Sequence, residues 1–371
     1  MKITDIECIP VRVPIRPELA IRAKFGTHSV SPFLLVRIQT DEGVCGLGEV
    51  SCTPRWSGED QVTAAHFIRA ILHPVLAGED PRDIERLSAQ MRRSLSGHPF
   101  TRAALEMALW DILGKLAGLP VYRLLGGPVR EFVPIKWSIS GAEPARAAAI
   151  ANWALEQGFR TMKVKVGIDP LQDVARVRAV REAVGPDIRL GIDANGAWDP
   201  ATAVSMIRRL EEFDIFFAEQ PVPPGDPDWL AEVRRQVQTP IVADESVYSP
   251  QDALAIVKAR AADAFSAYVG KSAGIAPARR IAALAESAML GCTIGSNLEL
   301  GVGTAAMIHL AMASPGITAE EIPCDIIGPL YYTDDILMEP LPLLRGKALP
   351  VDGPGLGIAL DEEKVRRYRV E

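Results

Sequence analysis

Three acidic residues recur at near-equal intervals in the second half of the chain: Asp193 in GIDANGAWD, Glu219 in FFAEQPVP and Asp244 in IVADESV. Each follows a short apolar run, and a spacing of roughly 25 residues is the length of one strand, one helix and two loops. Carboxylates repeated at that interval fall at one height on successive strands of a parallel barrel, where they can share a divalent cation. Such hard oxygen donors on rigid strand ends suit Mg²⁺, with Mn²⁺ as the alternative ion, because these ions leave coordination places for water and substrate oxygens. One strand earlier, in TMKVKVG, Lys163 and Lys165 stand two residues apart and so share a face. This places Lys165 to exchange a proton at the carbon beside a bound carboxylate while the metal offsets the developing charge, with Lys163 as the neighbouring charge that tunes it.

The elements that must hold these groups are legible from about Val133 onward, where short apolar runs alternate with loops and amphipathic stretches. The runs are VPIKWSIS, TMKVKVG, RLGIDAN, IFFAEQP, PIVADES, AFSAYVG, CTIGSN and the less regular EIPCDIIG. The pattern predicts an α/β chain, a TIM-like (β/α)7β barrel whose inward ladder continues through Tyr268, residues 296–299 and Asp325. Upstream, KITDIECIPVRV, FLLVRIQT and GVCGLGEV read as strands, and helical patterns follow over 59–116. The expected partition is an N-terminal α+β capping domain over 1–128, the barrel over 129–330, and a C-terminal segment over 331–371 that packs back on the cap.

Composition narrows the partners. Lysine and arginine number 40 against 47 acidic residues, a net charge of −7 without a basic stripe, so a nucleic-acid partner is not expected. There is no apolar run of transmembrane length, and charges and prolines interrupt MKITDIECIPVRVPIRPE before a signal core forms, so a cytoplasmic protein without a membrane partner is expected. Five cysteines, an odd number without close pairing, read as reduced thiols.

The segments RAALEMALWDILGKLAGLPVYRLLGG, MKVKVG, DANGAWD, EQPVP, ADES, KSAG and PGLGIALDEE resemble the enolase superfamily, and the lysine-x-lysine strand is similar to its muconate lactonizing enzyme subgroup. The resemblance implies Mg²⁺ ligation by Asp193, Glu219 and Asp244, acid/base chemistry by Lys165 with Lys163 as its partner, loops of the cap closing over a small carboxylic acid, and a homo-oligomer. One departure stands out. The subgroup carries a second lysine on the sixth strand, in a pattern like S-x-K-x-x-K-x-G-G. This chain reads Ser266-Ala267-Tyr268-Val269-Gly270-Lys271-Ser272-Ala273-Gly274, with Tyr268 at the lysine position and Lys271 on the opposite face of a regular strand. Lys271 is therefore read as a loop charge, and Tyr268 as either a barrel-filling aromatic or a hydrogen-bond and proton donor.

The strand-seven histidine of mandelate racemase-like members and the Asp-x-Asp of dipeptide epimerases have no counterparts in CTIGSNLELG and Asp325-Ile326-Ile327. KWSISG and DIIGPLYYTDDI are similar to muconate-type cycloisomerases. Trp137, Asn195, Glu299, Phe25, Trp56 and Ile327 complete the set as candidate substrate contacts, Phe25 and Trp56 as parts of a lid. The expectation is an Mg²⁺-dependent isomerase that moves the proton alpha to a carboxylate through a metal-stabilised enolate, most like a cycloisomerase. A dehydratase, a racemase or epimerase of a hydroxy acid or amino acid derivative, a Schiff-base enzyme, and a catalytically degenerate carboxylate binder remain as alternatives.

Overall fold

The computed structural model describes residues 1–24 and 26–371, so Phe25 lies outside the described residues. A seven-stranded parallel sheet carries the second half of the chain, and its strands follow one another in sequence order: Trp137–Ile139, Thr161–Lys165, Arg189–Asp193, Ile215–Glu219, Ile241–Ala243, Ala264–Ala267 and Gly291–Ile294. Unbroken order with a helix between each pair curls the sheet. Four of the helices announce themselves in sequence. Asp169, Asp199, Asp226 and Ser249 each precede a proline, and each side chain accepts a backbone N–H of the helix that follows, beginning at Pro170, Pro200, Pro227 and Pro250. The cap satisfies a donor that the helix cannot, and proline at the first position gives up an N–H with no partner there.

The eighth candidate strand, EIPCDIIG, is not a strand. It forms an isolated parallel bridge between Ile135 and Cys324. Lys136 N donates to Cys324 O (2.9 Å), and Asp325 N donates to Ile294 O (2.7 Å). Residues 324–325 thus hydrogen-bond to the chain beside both the first and the seventh strands without forming a regular ladder.

The first part of the chain builds a three-stranded antiparallel sheet, Ile3–Pro14, Val30–Thr40 and Cys45–Ser51, against which the long helix Pro99–Ala117 packs. Helix and strand approach closely because of two glycines: a Cβ at Gly46 or Gly48 would lie 2.0 or 1.8 Å from a helix carbonyl oxygen. The small Ala103, Ala104 and Ala108 of the facing helix complete that fit. A short hairpin, Ile21–Ala23 with Gly26–His28, adds a wall that the alternation pattern did not reveal. The tail returns to both regions: Val370 N donates to Pro10 O, and Lys347–Ala348 pairs with Val133–Pro134. All five cysteines are free thiols, and no helix of the described residues is long and apolar enough to cross a membrane.

Candidate active site

Strand alternation sorts the second strand cleanly. Met162 and Val164 are fully buried, each contributing on the order of 1.5–3 kcal/mol, while Lys163 and Lys165 point into the space at the carboxyl ends of the strands. Parallel register sets Lys165 beside Asp193 and Asp193 beside Glu219. Asp244 follows the end of the fifth strand, Ile241–Ala243. Lys163 Nζ donates to Glu219 Oε1 (2.5 Å) and Asp325 Oδ2 (2.9 Å) and lies 3.5 Å from Asp193. Lys165 Nζ donates to Asp193 Oδ2 (2.5 Å) and Asn195 Oδ1 (3.1 Å). Farther in, the wholly buried Lys136 pairs with Asp325 (3.0 Å).

Four carboxyl groups (Asp193, Glu219, Asp244, Asp325) therefore pair with four ammonium groups (Lys136, Lys163, Lys165, Lys271), and a fifth, Glu245, feels Asp244 and Asp193; all but Lys165 are buried. Burial opposes the charge of Lys163, but Asp325, Glu219 and Asp193 outweigh it and hold the ammonium well above its ordinary range. Burial pushes Glu219 up to about 8; Lys163 opposes this, and the charges of Asp193, Asp244 and Asp325 add to it. Glu245 is pushed up to about 7 by burial and by Asp244 and Asp193. Asp193 goes the other way, since Lys165 and Lys163 overcome its burial.

As they stand, no three His, Cys, Asp or Glu side chains among the described residues form a group that could hold an ion, and each of the three expected ligands is instead paired with an ammonium group. The donor set still fits a hard divalent cation. It is all oxygen, it sits on neighbouring strand ends, and Glu219 Oε2 and Asp325 Oδ1 are buried with no hydrogen-bond partner among the described residues. A carboxyl group at a pKa of about 8 in a cluster with surplus acid is one that a further positive charge would ionise.

A cavity of about 550 Å³ opens on this cluster, lined by Lys163, Lys165, Asn195, Tyr268 and Ile327 from the sheet side and by the hairpin and residues 51–56 from the first sheet. Trp56 reaches across: its Nε1 donates to Glu245 Oε1 (3.0 Å), and its ring stacks on Tyr268 with centroids 5.6 Å apart. Asn195 Nδ2 donates to the same Glu245 oxygen.

On the sixth-strand side, Tyr268 OH donates to Asp244 Oδ2 (2.8 Å). Burial, reinforced by Asp244, Glu219 and Glu245, holds the phenol well above its ordinary pKa. The ring fits because residue 295 is glycine, where a Cβ would lie 2.0 Å from Tyr268 Cε1. Lys271 is not a solvated loop charge. It is fully buried, ion-paired with Asp244, donates to Asp244 O (2.6 Å) and Ser266 O (2.9 Å), and lies 4.2 Å above the Tyr268 ring.

Two expected substrate contacts fall elsewhere. Trp137 does not line the cavity; it is fully buried, stacked on Tyr331 at 4.4 Å, while Ser138 faces the cavity in its place. Glu299 does not line it either. Its carboxylate turns back to accept Ser296 Oγ (2.5 Å) and Asn297 N (3.1 Å). Sequence reading missed Glu245 and Lys136. Glu245 follows Asp244 directly in ADES, where alternation would send it to the other face, and Lys136 lies just before the three-residue strand Trp137–Ile139, so neither position carried a clear signal in the sequence.

Comparison with known proteins places the chain in a family. Residues 3–126 match the family model described as mandelate racemase / muconate lactonizing enzyme, N-terminal domain, and residues 145–364 match that described as enolase C-terminal domain-like. The chain is 35% identical to the N-succinyl-L-Arg/Lys racemase of Bacillus cereus, over 100% of this chain and 98% of the relative. It is 34% identical to muconate cycloisomerase 1 of Rhodococcus opacus, over 98% and 99% of the two chains. A dipeptide epimerase from Cytophaga hutchinsonii, solved with Mg and the dipeptide D-Ala-L-Val, superposes with a TM-score of 0.93 at 32% identity, covering 99% of this chain and 98% of that one. The protein is an enzyme of the enolase superfamily and belongs to its muconate lactonizing enzyme subgroup.

Proposed function

We propose that this enzyme is an isomerase that removes or delivers the proton alpha to a substrate carboxylate from one face only, most like a muconate-type cycloisomerase. Its relatives are cycloisomerases, racemases and epimerases acting on small carboxylates, and family members generally use a divalent metal. Asp193, Glu219 and Asp244 would hold Mg²⁺, which when bound would offset the second negative charge a substrate carboxylate gains as its α-proton leaves. Lys165 is the acid/base. Its amine borders the cavity, and Asp193 and Asn195 fix its direction. Lys163, kept charged by three acids, faces the substrate carboxylate as a fixed cation.

The observation that carries the one-face reading is the opposite wall. Racemisation needs a second base there, and the group present is a neutral phenol hydrogen-bonded to Asp244. Trp56, Asn195 and Ile327 border the rest of the substrate. Within the same proposal, the bridge at Ile135 and Cys324 closes a (β/α)7β barrel over 129–330, under an α+β cap over 1–128 to which the segment 331–371 returns.

Incubating the protein in D2O with a panel of carboxylic acids and lactones tests this. Exchange or turnover at the carbon beside the carboxylate is expected with Mg²⁺, is lost with EDTA and returns when Mg²⁺ is restored. Binding of acids without exchange or turnover would instead identify a degenerate carboxylate binder, and activity indifferent to EDTA would remove the metal from the account.

A further inference from the structure

Residues 296–298 form the part of the cavity wall that follows the seventh strand. Leu298 has a φ of 57°, a left-handed conformation that a branched side chain adopts only when its surroundings impose it. Those surroundings come largely from the first sheet and its following loop. Asn297 Nδ2 donates to Thr53 Oγ1 (2.6 Å), and Ser51 Oγ donates to Asn297 O (3.3 Å). Within the turn, Leu298 N donates to Ser296 Oγ (2.8 Å), and Ser296 Oγ donates to Glu299. Tyr332 OH donates to Leu298 O (2.6 Å).

Glu49, on the strand Cys45–Ser51, is 2% exposed. Its Oε1 accepts Leu300 N (2.8 Å) and its Oε2 accepts Gly303 N (2.9 Å), at the start of the helix Gly301–Ala313 that the turn leads into. These are N–H groups the helix itself cannot satisfy. A Cβ at Gly303 would lie 2.8 Å from Glu299 Cβ and 3.2 Å from Glu49 Oε1, so that glycine lets the two acids pack at the same helix start.

We propose that Glu49 is a positioning residue for the substrate: by fastening the helix start behind the strained turn, it sets the wall against which the non-reacting end of the acid lies. Substrate fit is thereby coupled to the docking of the first sheet, although Glu49 never touches the cavity. This rests on the reading that the cavity is the substrate site. A second buried acid supplies the control. Glu106 accepts Ile275 N (2.7 Å) and Ala276 N (2.9 Å) at the start of the helix Ile275–Ser287, in the same manner, but residues 272–274 before that helix do not line the cavity.

The test compares Glu49→Gln with Glu106→Gln in the full chain. Glutamine keeps one acceptor oxygen and sets an NH2 group against the other N–H, so one of the two bonds is lost. Amide hydrogen exchange across 296–303 should quicken by about tenfold in Glu49→Gln, the effect of losing one buried backbone-to-carboxyl hydrogen bond, and should stay at the wild-type rate in Glu106→Gln. With the acid that shows the fastest Mg²⁺-dependent exchange, Glu49→Gln should raise KM by about tenfold with kcat within about twofold, because ground-state fit and not proton transfer is altered. Glu106→Gln should leave KM unchanged. Glu49→Asp keeps both acceptor oxygens but is one methylene short, so it should fall between, and it replaces Glu49→Gln if that variant does not fold. Exchange across 296–303 at the wild-type rate, or a fall in kcat with KM unchanged, overturns the proposal. A loosened turn in a protein that turns over no acid would instead contradict the proposed function and leave the fastening by Glu49 standing.

Discussion

On the second-strand side of the cavity two ammonium groups stand two residues apart, and Lys165 is directed by one carboxylate and one amide oxygen. On the sixth-strand side the ring of Tyr268 lies against Gly295 and under Trp56, its hydroxyl committed to Asp244, with Lys271 withdrawn behind it. One wall offers the amine proposed as the acid/base. The other offers a phenol that burial and nearby acids hold neutral. On the proposed reading these two strand ends of one sheet divide the labour: where the subgroup's pattern places a second lysine this chain has Tyr268, which fits because residue 295, one strand over, is glycine.

Removing the amine should have the largest effect. Lys165→Ala should lower turnover about a thousandfold, within the range expected for a positioned acid/base, while Mg²⁺ binding followed by calorimetry changes little. A variant that kept wild-type activity would move the base elsewhere. A smaller effect is expected on the opposite wall. Tyr268→Phe removes one hydrogen bond to a carboxylate, so activity should fall by about tenfold, matching the roughly 1.5 kcal/mol of such a bond. A loss as deep as that of Lys165→Ala would make the phenol a direct proton carrier and erase the difference between the walls.

The parts of the site that were legible in the sequence are those governed by regular repeats. Asp193, Glu219 and Asp244 could be aligned because each stands at or just past the end of a strand in a strand–helix unit of near-constant length, and Lys163 with Lys165 because a two-residue period fixes a face. Phase was lost where the strand is short or the chain turns. The three-residue strand Trp137–Ile139 gives too little alternation to decide which residue points inward, and the answer was Ser138. Glu299 was displaced because Leu298 takes a left-handed conformation that no apolar pattern reports. EIPCDIIG carried enough apolar character to look like a strand, yet Ile135 and Cys324 form only a bridge. Lys271 looked like a loop charge because its partners lie on Asp244 and Ser266, contacts that exist only once neighbouring strands are side by side. Glu49 and Glu245 were invisible for the same reason: a buried acid is recognised by what it meets, and their partners come from distant chain.

The stereochemistry of proton transfer in D2O distinguishes one working base from two. With the Mg²⁺-loaded enzyme and its substrate, product or recovered acid should carry deuterium at the carbon beside the carboxylate in a single configuration, resolved by NMR, and that label should vanish in Lys165→Ala. Deuterium entering both configurations at comparable rates, with Lys165→Ala losing only one of them, would place a working base on the Tyr268 side and contradict the one-face account.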